Sequence, residues 1–334
     1  MKFTELTIEE RRDIIRRVQA ENGMDLQIIE KDWWVTAVLH ALFSLPYAEH
    51  ISFKGGTILA KCWHLINRMS EDIDVAIDRE FLGFSGTLSK TQISDKLRRA
   101  SCSFVREKLQ YELAGQLEKD GIAKDCFKVN VNITPISTTD PEIIEVEYTP
   151  VFNANPYIRS KVIIEVSGRS MSEPVSIVGL RSYIDNVYTA APFTEPDFDV
   201  RAVVPQRTFL EKLFLLHEEF SKPKDAVRTE RMSRHMYDIC QILETPVAEQ
   251  ALAEKELYLS VVEHRRTFIG LRGFDYSTLL PRTLDIIPPD SIIDSWRQDY
   301  KRMQETMIYG DSPSFDKMIE TLKGLNQRIH TLDY

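Results

Sequence analysis

The stretch FKGGTILAKCWHLINRMSEDIDVAID, Phe53 to Asp78, decides the fold. It opens with the short apolar run of HISFKGG, closed by two glycines. TILAKCWHLI follows with Ile58, Leu59, Cys62, Trp63 and Ile66 at helical spacing, and DIDVAI then alternates acid and apolar residues as a half-buried strand does. Strand, helix and strand within about 30 residues is the pattern of a crossover between parallel strands. Gly55 and Gly56 stand at the strand-to-helix junction, where backbone N–H groups and the helix dipole can receive a phosphate with no side chain intervening. Asp72 and Asp74 are two residues apart on a strand, so both carboxylates leave one face and can hold a divalent cation between them. Each feature alone has a plainer reading, a tight turn or a strand with a wet face. Their succession around one helix puts phosphate cradle and metal acids at the same sheet edge, which suits nucleoside triphosphate chemistry with magnesium.

Outward from this unit, residues 7–20 and 26–45 read as helices, the first with Thr7 and Glu10 at capping-box spacing. Residues 89–119 are also helical in pattern. FKVNVNITPI, EIIEVEYTPVF and KVIIEVSGR show β-branched alternation and are expected in the same sheet, which is then mixed. In KVIIEVSGR, Val162, Ile164 and Val166 share one side while Ile163, Glu165 and Ser167 share the other, and Glu165 is read as an inward acid and the candidate third metal ligand. Glu145 and Glu147 compete for that role. AAPFTEPDFDVRAVVPQ, 190–206, carries three prolines, and beyond it helical periodicity dominates over 206–220, 231–244 and 312–329. A domain boundary is expected near residue 200.

The 334 residues carry a net charge of −9, which argues against a surface that grips nucleic acid everywhere. Two local basic clusters stand out, RRDIIRR at 11–17 and SKPKDAVRTERMSRH at 221–235. Four scattered cysteines, Cys62, Cys102, Cys126 and Cys240, have neither metal nor disulfide spacing. The charged amino terminus is unlike a signal peptide, and WWVTAVLHALFSLPY is too short and too interrupted for a membrane span. A cytoplasmic protein without a membrane role is expected.

In QRTFLEKLFLLHEEF, Lys212 lies at the margin of an apolar helix face, placed to snorkel or to bind phosphate. RMSRHMYDICQIL leaves Arg231, Arg234 and Asp238 along its polar face, where Arg234 and Asp238 read as an i,i+4 surface pair. His217 and His235 read as packing or surface residues, having no ligand partners at metal spacing.

Taken together, EKDWWVTAVL (30–39), FKGGTILAK (53–61), RMSEDIDVAI (68–77), VIIEVSGR (162–169), FLEKLFLLH (209–217), RHMYDICQIL (234–243) and DYKRMQETMIYG (299–310) resemble the AbiEii/AbiGii-type nucleotidyltransferase toxins. That family is a branch of the polymerase-β-like nucleotidyltransferases that includes the MenT toxins. The resemblance implies an α+β fold: a nucleotidyltransferase core with a mixed twisted sheet flanked by helices, then an α-helical C-terminal domain. The expected division is 1–200, the nucleotidyltransferase domain with its N-terminal helices, and 201–334, the helical domain completing the active site. It implies that Gly55, Gly56 and Ser70 hold triphosphate, with Thr57 taking the hydroxyl's part where other members have Gly-Ser. Asp72 and Asp74 would bind Mg²⁺, or Mn²⁺, with Glu165 as the third acid. Lys212 would contact the nucleotide phosphates, Asp238 would belong to the active site, and Arg234 would bind phosphate or orient Asp238. The implied activity is transfer of NMP from an NTP to an RNA acceptor such as tRNA, by the toxin of a toxin–antitoxin or phage-defence pair with a cognate antitoxin protein. Two alternatives are a nucleotidyltransferase of the antibiotic-modifying type, with a small-molecule acceptor, and a nucleotide-binding regulator without turnover.

Overall fold

The structure, a computed structural model, describes residues 2–132, 141–152 and 159–334. The chain forms two compact units, one of Met1–Cys62 with Ser70–Val203 and the other of Trp63–Met69 with Val204–Tyr334.

The first unit starts with α1 (Ile8–Asn22) and α2 (Leu26–Phe43). Thr7 caps α1 as its spacing predicts: its hydroxyl accepts from Glu10 N at 3.3 Å, and the Glu10 carboxylate accepts from Thr7 N at 2.8 Å. Asp25 caps α2 by accepting from Gln27 N at 2.8 Å. α2 is buried on nearly every side, which explains why its sequence is apolar almost all round. Trp34 stacks on Tyr148 with centroids 4.9 Å apart. β1 (Ile51–Lys54), α3 (Gly55–Lys61) and β2 (Asp72–Ile77) follow, then a continuous helical stretch from Gln92 to Lys119 that includes α4 (Arg98–Phe104) and α5 (Gln110–Lys119). The remaining elements are β3 (Phe127–Asn132), β4 (Glu142–Tyr148), β5 (Lys161–Ser167), β6 (Val175–Leu180), α6 (Tyr183–Val187) and β7 (Phe198–Val203). The last four residues of FKVNVNITPI lie outside the described residues.

Among the described residues, seven strands form one sheet in the order β3-β4-β5-β2-β1-β7-β6. It is mixed as expected: β2 runs parallel to β5 and β1 to β7, while the other neighbours are antiparallel. Two expectations need correction. β1 and β2 are antiparallel neighbours, not the parallel strands of a crossover. The helix between them ends at Lys61, short of the TILAKCWHLI pattern, and the chain leaves the unit at Trp63 before returning at Ser70. The proline-rich boundary also contains β7, which lies beside β1. Its prolines flank the strand, where no ladder N–H is needed, so they mask it in sequence without breaking it.

The second unit is helical: α7 (Pro205–Phe220), α8 (Ser233–Leu243), α9 (Pro246–Ala253), α10 (Lys255–His264), α11 (Ile293–Thr306) and α12 (Phe315–Ile329). Its core includes Phe209, Leu213, Phe214, Met236, Tyr258, Trp296 and Leu322, all buried. Trp63–Met69 is stitched into it by Met69 N to Met307 O at 2.7 Å and Tyr309 N to Asn67 O at 2.8 Å. Among the described residues, no helix is long and apolar enough to cross a membrane.

Candidate active site

In the first unit the glycines and the acids are in direct contact. Gly55 is the first residue of α3 and has φ +85°, and a Cβ built on it would stand 1.9 Å from Asp74 Oδ2. The Asp74 carboxylate therefore lies over the bare Cα, in space that any side chain at position 55 would fill. Gly56 follows as the second residue of the same helix. Thr57, buried, donates its hydroxyl to the backbone carbonyl of Asp72, and its Oγ1 lies 2.9 Å from Ser70 Oγ. Thus Gly55, Thr57, Ser70, Asp72 and Asp74 form one connected group at the start of β2.

The sheet register places the remaining acid. Asp74 pairs with Glu165 on β5 and with Lys54 on β1, and paired residues share a face. Asp72, Asp74 and Glu165 thus leave the half-buried face, while Ile73, Val75, Val162, Ile164 and Val166 fill the core side. The donors are all carboxylate oxygens, the hard ligands Mg²⁺ takes, and the absent side chain at Gly55 leaves the Asp74 carboxylate its place. Asp72 and Asp74 therefore fit such a cation. Among the described residues, no three His, Cys, Asp or Glu side chains gather into a metal site, and Glu165 shares the face of Asp72 and Asp74 by register. Lys54, beside Asp74 by register, escaped the sequence reading because its neighbour is fixed only by strand pairing.

In the second unit, Asp238 is fully buried, which corrects its reading as one half of a surface pair. Arg68 grips it with two parallel bonds, Nε to Oδ1 at 2.6 Å and a terminal nitrogen to Oδ2 at 2.7 Å. Lys212 Nζ lies 2.8 Å from Oδ2 and is itself buried rather than snorkelling. Burial alone would raise the Asp238 carboxyl, but Arg68 and then Lys212 outweigh it and hold the group well below the usual carboxylate range. Lys212 is shifted down, by burial first, against the pull of Asp238 and with Arg68 adding repulsion. Burial, Lys212 and Arg234 likewise keep the His235 imidazole neutral by lowering its pKa well below the ordinary value. Arg234 is half-buried and close enough to bias both groups. The cluster holds two paired cations on one carboxylate, a local surplus of positive charge suited to an anion. Arg68 was missed as a site residue, although the quoted motif RMSEDIDVAI begins with it. His217 is a packing residue, its ring bonded to the Asp285 backbone and to Thr278 Oγ1 at 2.9 Å.

The family profile described as "Nucleotidyl transferase AbiEii toxin, Type IV TA system" matches residues 37–321. Among solved structures, JHP933 from Helicobacter pylori is similar over 92% of this chain and 93% of its own, at 14% identity and a TM-score of 0.43. MenT4, a nucleotidyltransferase toxin from Mycobacterium tuberculosis H37Rv, is similar over 98% of this chain and 100% of its own, at 15% identity and a TM-score of 0.48. None of the curated proteins matches. The protein is an enzyme of the nucleotidyltransferase class. The matched span takes in the glycine turn, the β2 acids, Lys212 and Asp238. The chain belongs to the AbiEii nucleotidyltransferase toxin family.

Proposed function

We propose that this protein is the Mg²⁺-dependent toxin of a toxin–antitoxin or phage-defence pair, transferring NMP from an NTP to an RNA acceptor such as tRNA. The observation that carries the reading is the Asp74 carboxylate seated on Gly55, which makes the phosphate turn and the metal acid one structural feature. Asp72 and Asp74 would hold the cation, with Glu165 beside them as the third acid. A bound divalent cation supplies charge neutralisation at the triphosphate and activation of the acceptor hydroxyl. The backbone of Gly55 and Gly56 and the hydroxyl of Ser70 receive phosphate oxygens, while Thr57, its one hydroxyl proton given to the Asp72 carbonyl, holds Ser70 beside them. Lys212 is the group that offsets the charge of the nucleotide phosphates, Asp238 and Arg68 fix it, and Arg234 adds a further cation.

In the reaction the acceptor oxygen forms a bond to the α-phosphorus, its proton passes to Asp74 or water, and the α–β bridging bond breaks. Pyrophosphate leaves with the electron pair of that bond. Lys212 in its charged form serves this departure, so the lowered pKa predicts that transfer fades with rising pH before an ordinary lysine would titrate. A pH–rate profile of kcat/KM for the NTP, which reports the free enzyme, checks this; a Lys212→Arg variant that retains activity should move the alkaline limb upward.

An RNA acceptor is what the family resemblance implies, and it is supported by the exposed cations Lys224 and Arg231 of the 221–231 loop, Arg228 being held by Glu219. The 11–17 cluster supports it less, because Arg12, Arg16 and Arg17 are paired with Glu9, Asp13 and Glu21. Incubating the protein with Mg²⁺, α-labelled NTPs and a whole-cell extract tests the acceptor. Label in a product destroyed by ribonuclease is expected, and label only in a ribonuclease-resistant small product would replace RNA with a small-molecule acceptor.

A further inference from the structure

The EKDWW motif of α2 is not used by the chemistry above, yet three consecutive charged residues in it, Glu30, Lys31 and Asp32, are buried. Lys31 is 4% exposed in its side chain and forms an ion pair with Glu71, whose side chain is 13% exposed. The same ammonium donates to the carbonyl of Arg159 at 3.0 Å. Glu71 is the residue before β2, and Arg159 stands two residues before β5. These are the parallel neighbours that carry Asp72 and Asp74 on one side and Glu165 on the other. One buried cation therefore ties together the starts of both acid-bearing strands.

The next residue repeats the arrangement for the glycine helix. Asp32 pairs with Lys61, the last residue of α3, both side chains being nearly inaccessible, and its other oxygen accepts from Tyr183 N at 2.8 Å. A buried ion pair returns little net stability once desolvation is counted, and apolar residues of similar volume would serve a core as well or better. What it gives is a fixed register between the groups it joins, because leaving either charge alone is costly.

We propose that Lys31 is a positioning residue for the cation site: from the rigid helix α2 it sets the relative placement of the β2 and β5 starts, and so the separation of the carboxylates that follow. The proposal rests on the reading of Asp72 and Asp74 as the cation's ligands. Residues that orient metal ligands from behind typically change metal affinity by about 10- to 100-fold when removed. Lys31→Met is expected to weaken cation binding by about tenfold or more while Lys31→Arg recovers most of it.

The test is Mn²⁺ binding by the full-length protein, read by electron paramagnetic resonance with a nonhydrolysable nucleoside triphosphate of each base in turn, below the unfolding temperature of every variant. Leu113→Ala, a core truncation in α5 of the same unit, serves as the control for general loosening. Weakened binding in Lys31→Met, recovery in Lys31→Arg and unchanged binding in Leu113→Ala support the proposal. Wild-type affinity in a folded Lys31→Met, or equal weakening in Leu113→Ala, overturns it and leaves the cation reading intact. No Mn²⁺ binding by the wild type removes the cation reading and this inference with it. Should Lys31→Met fail to fold, Glu71→Gln, which removes the partner charge at constant shape, carries the same test with the same outcomes.

Discussion

At Gly55 the backbone lies at positive φ and the Asp74 carboxylate occupies the place of a Cβ. Gly55→Ala is expected to cost about 1–3 kcal/mol of stability and to displace the acid, lowering transfer by about 100-fold; denaturant unfolding and a transfer assay measure the two effects separately. Asp238 offers a second residue-scale prediction. Asp238→Asn would leave Arg68 and Lys212 buried without a counter-charge, at a cost of about 3–5 kcal/mol. Because the folded-state pKa of Asp238 is depressed, its contribution is present above the usual carboxylate pKa and is lost as pH falls through the folded value. Wild type and Asp238→Asn should therefore converge in stability toward strongly acidic pH, and parallel unfolding curves that stay apart there would contradict this. The acids of β2 were legible in the sequence because strand alternation alone puts Asp72 and Asp74 on one face. The environment of Asp238 was not, since its main partner, Arg68, lies 170 residues away in the chain and no helical period can reveal it.

Among the elements, α2 carries the most unusual composition, an 18-residue helix with buried charge amid its apolar surface. Glu30 accepts from Val151 N at 2.8 Å, and burial raises its carboxyl to about 7 against the opposing influence of that bond, Arg11 and Arg12. With the folded pKa above the unfolded one, its protonated form stabilises the protein at low pH, and that contribution is lost as pH rises through about 7. Glu30→Gln, which keeps the acceptor oxygen, is expected to stabilise the protein by on the order of 2 kcal/mol at pH 8 and by little at pH 5. Urea unfolding at the two pH values decides it; an equal effect at both would show that Glu30 does not titrate in this range. Elements with a clean local period, α1, β2, α7 and α12, were readable from sequence. β6 went unread in a stretch with few period-2 repeats, and β7 was hidden between prolines. The pairing of β1 with β2 was misread because a strand–helix–strand pattern does not reveal that the chain leaves for the other unit midway.

For the whole molecule, the excursion of Trp63–Met69 means that no single cut separates the units. A fragment ending at residue 203 keeps this segment but loses Asp238, Met307 and Tyr309, its partners in the helical unit. Such a fragment is expected to leave buried Arg68 and Met69 exposed and to aggregate or lose cooperative thermal unfolding; a sharp, reversible transition in calorimetry would contradict that. The nucleotidyltransferase class was legible because its motifs are short and contiguous, whereas acceptor choice depends on surfaces that periodicity does not specify. The central claim, that Asp72 and Asp74 drive metal-dependent transfer, is tested most directly by labelled-NMP transfer from each NTP to total RNA. Transfer by the wild type with Mg²⁺ is expected, together with its loss on chelation and its loss in folded Asp72→Ala and Asp74→Ala variants. Absence of transfer with every NTP, or transfer by the variants at the wild-type rate, would contradict it.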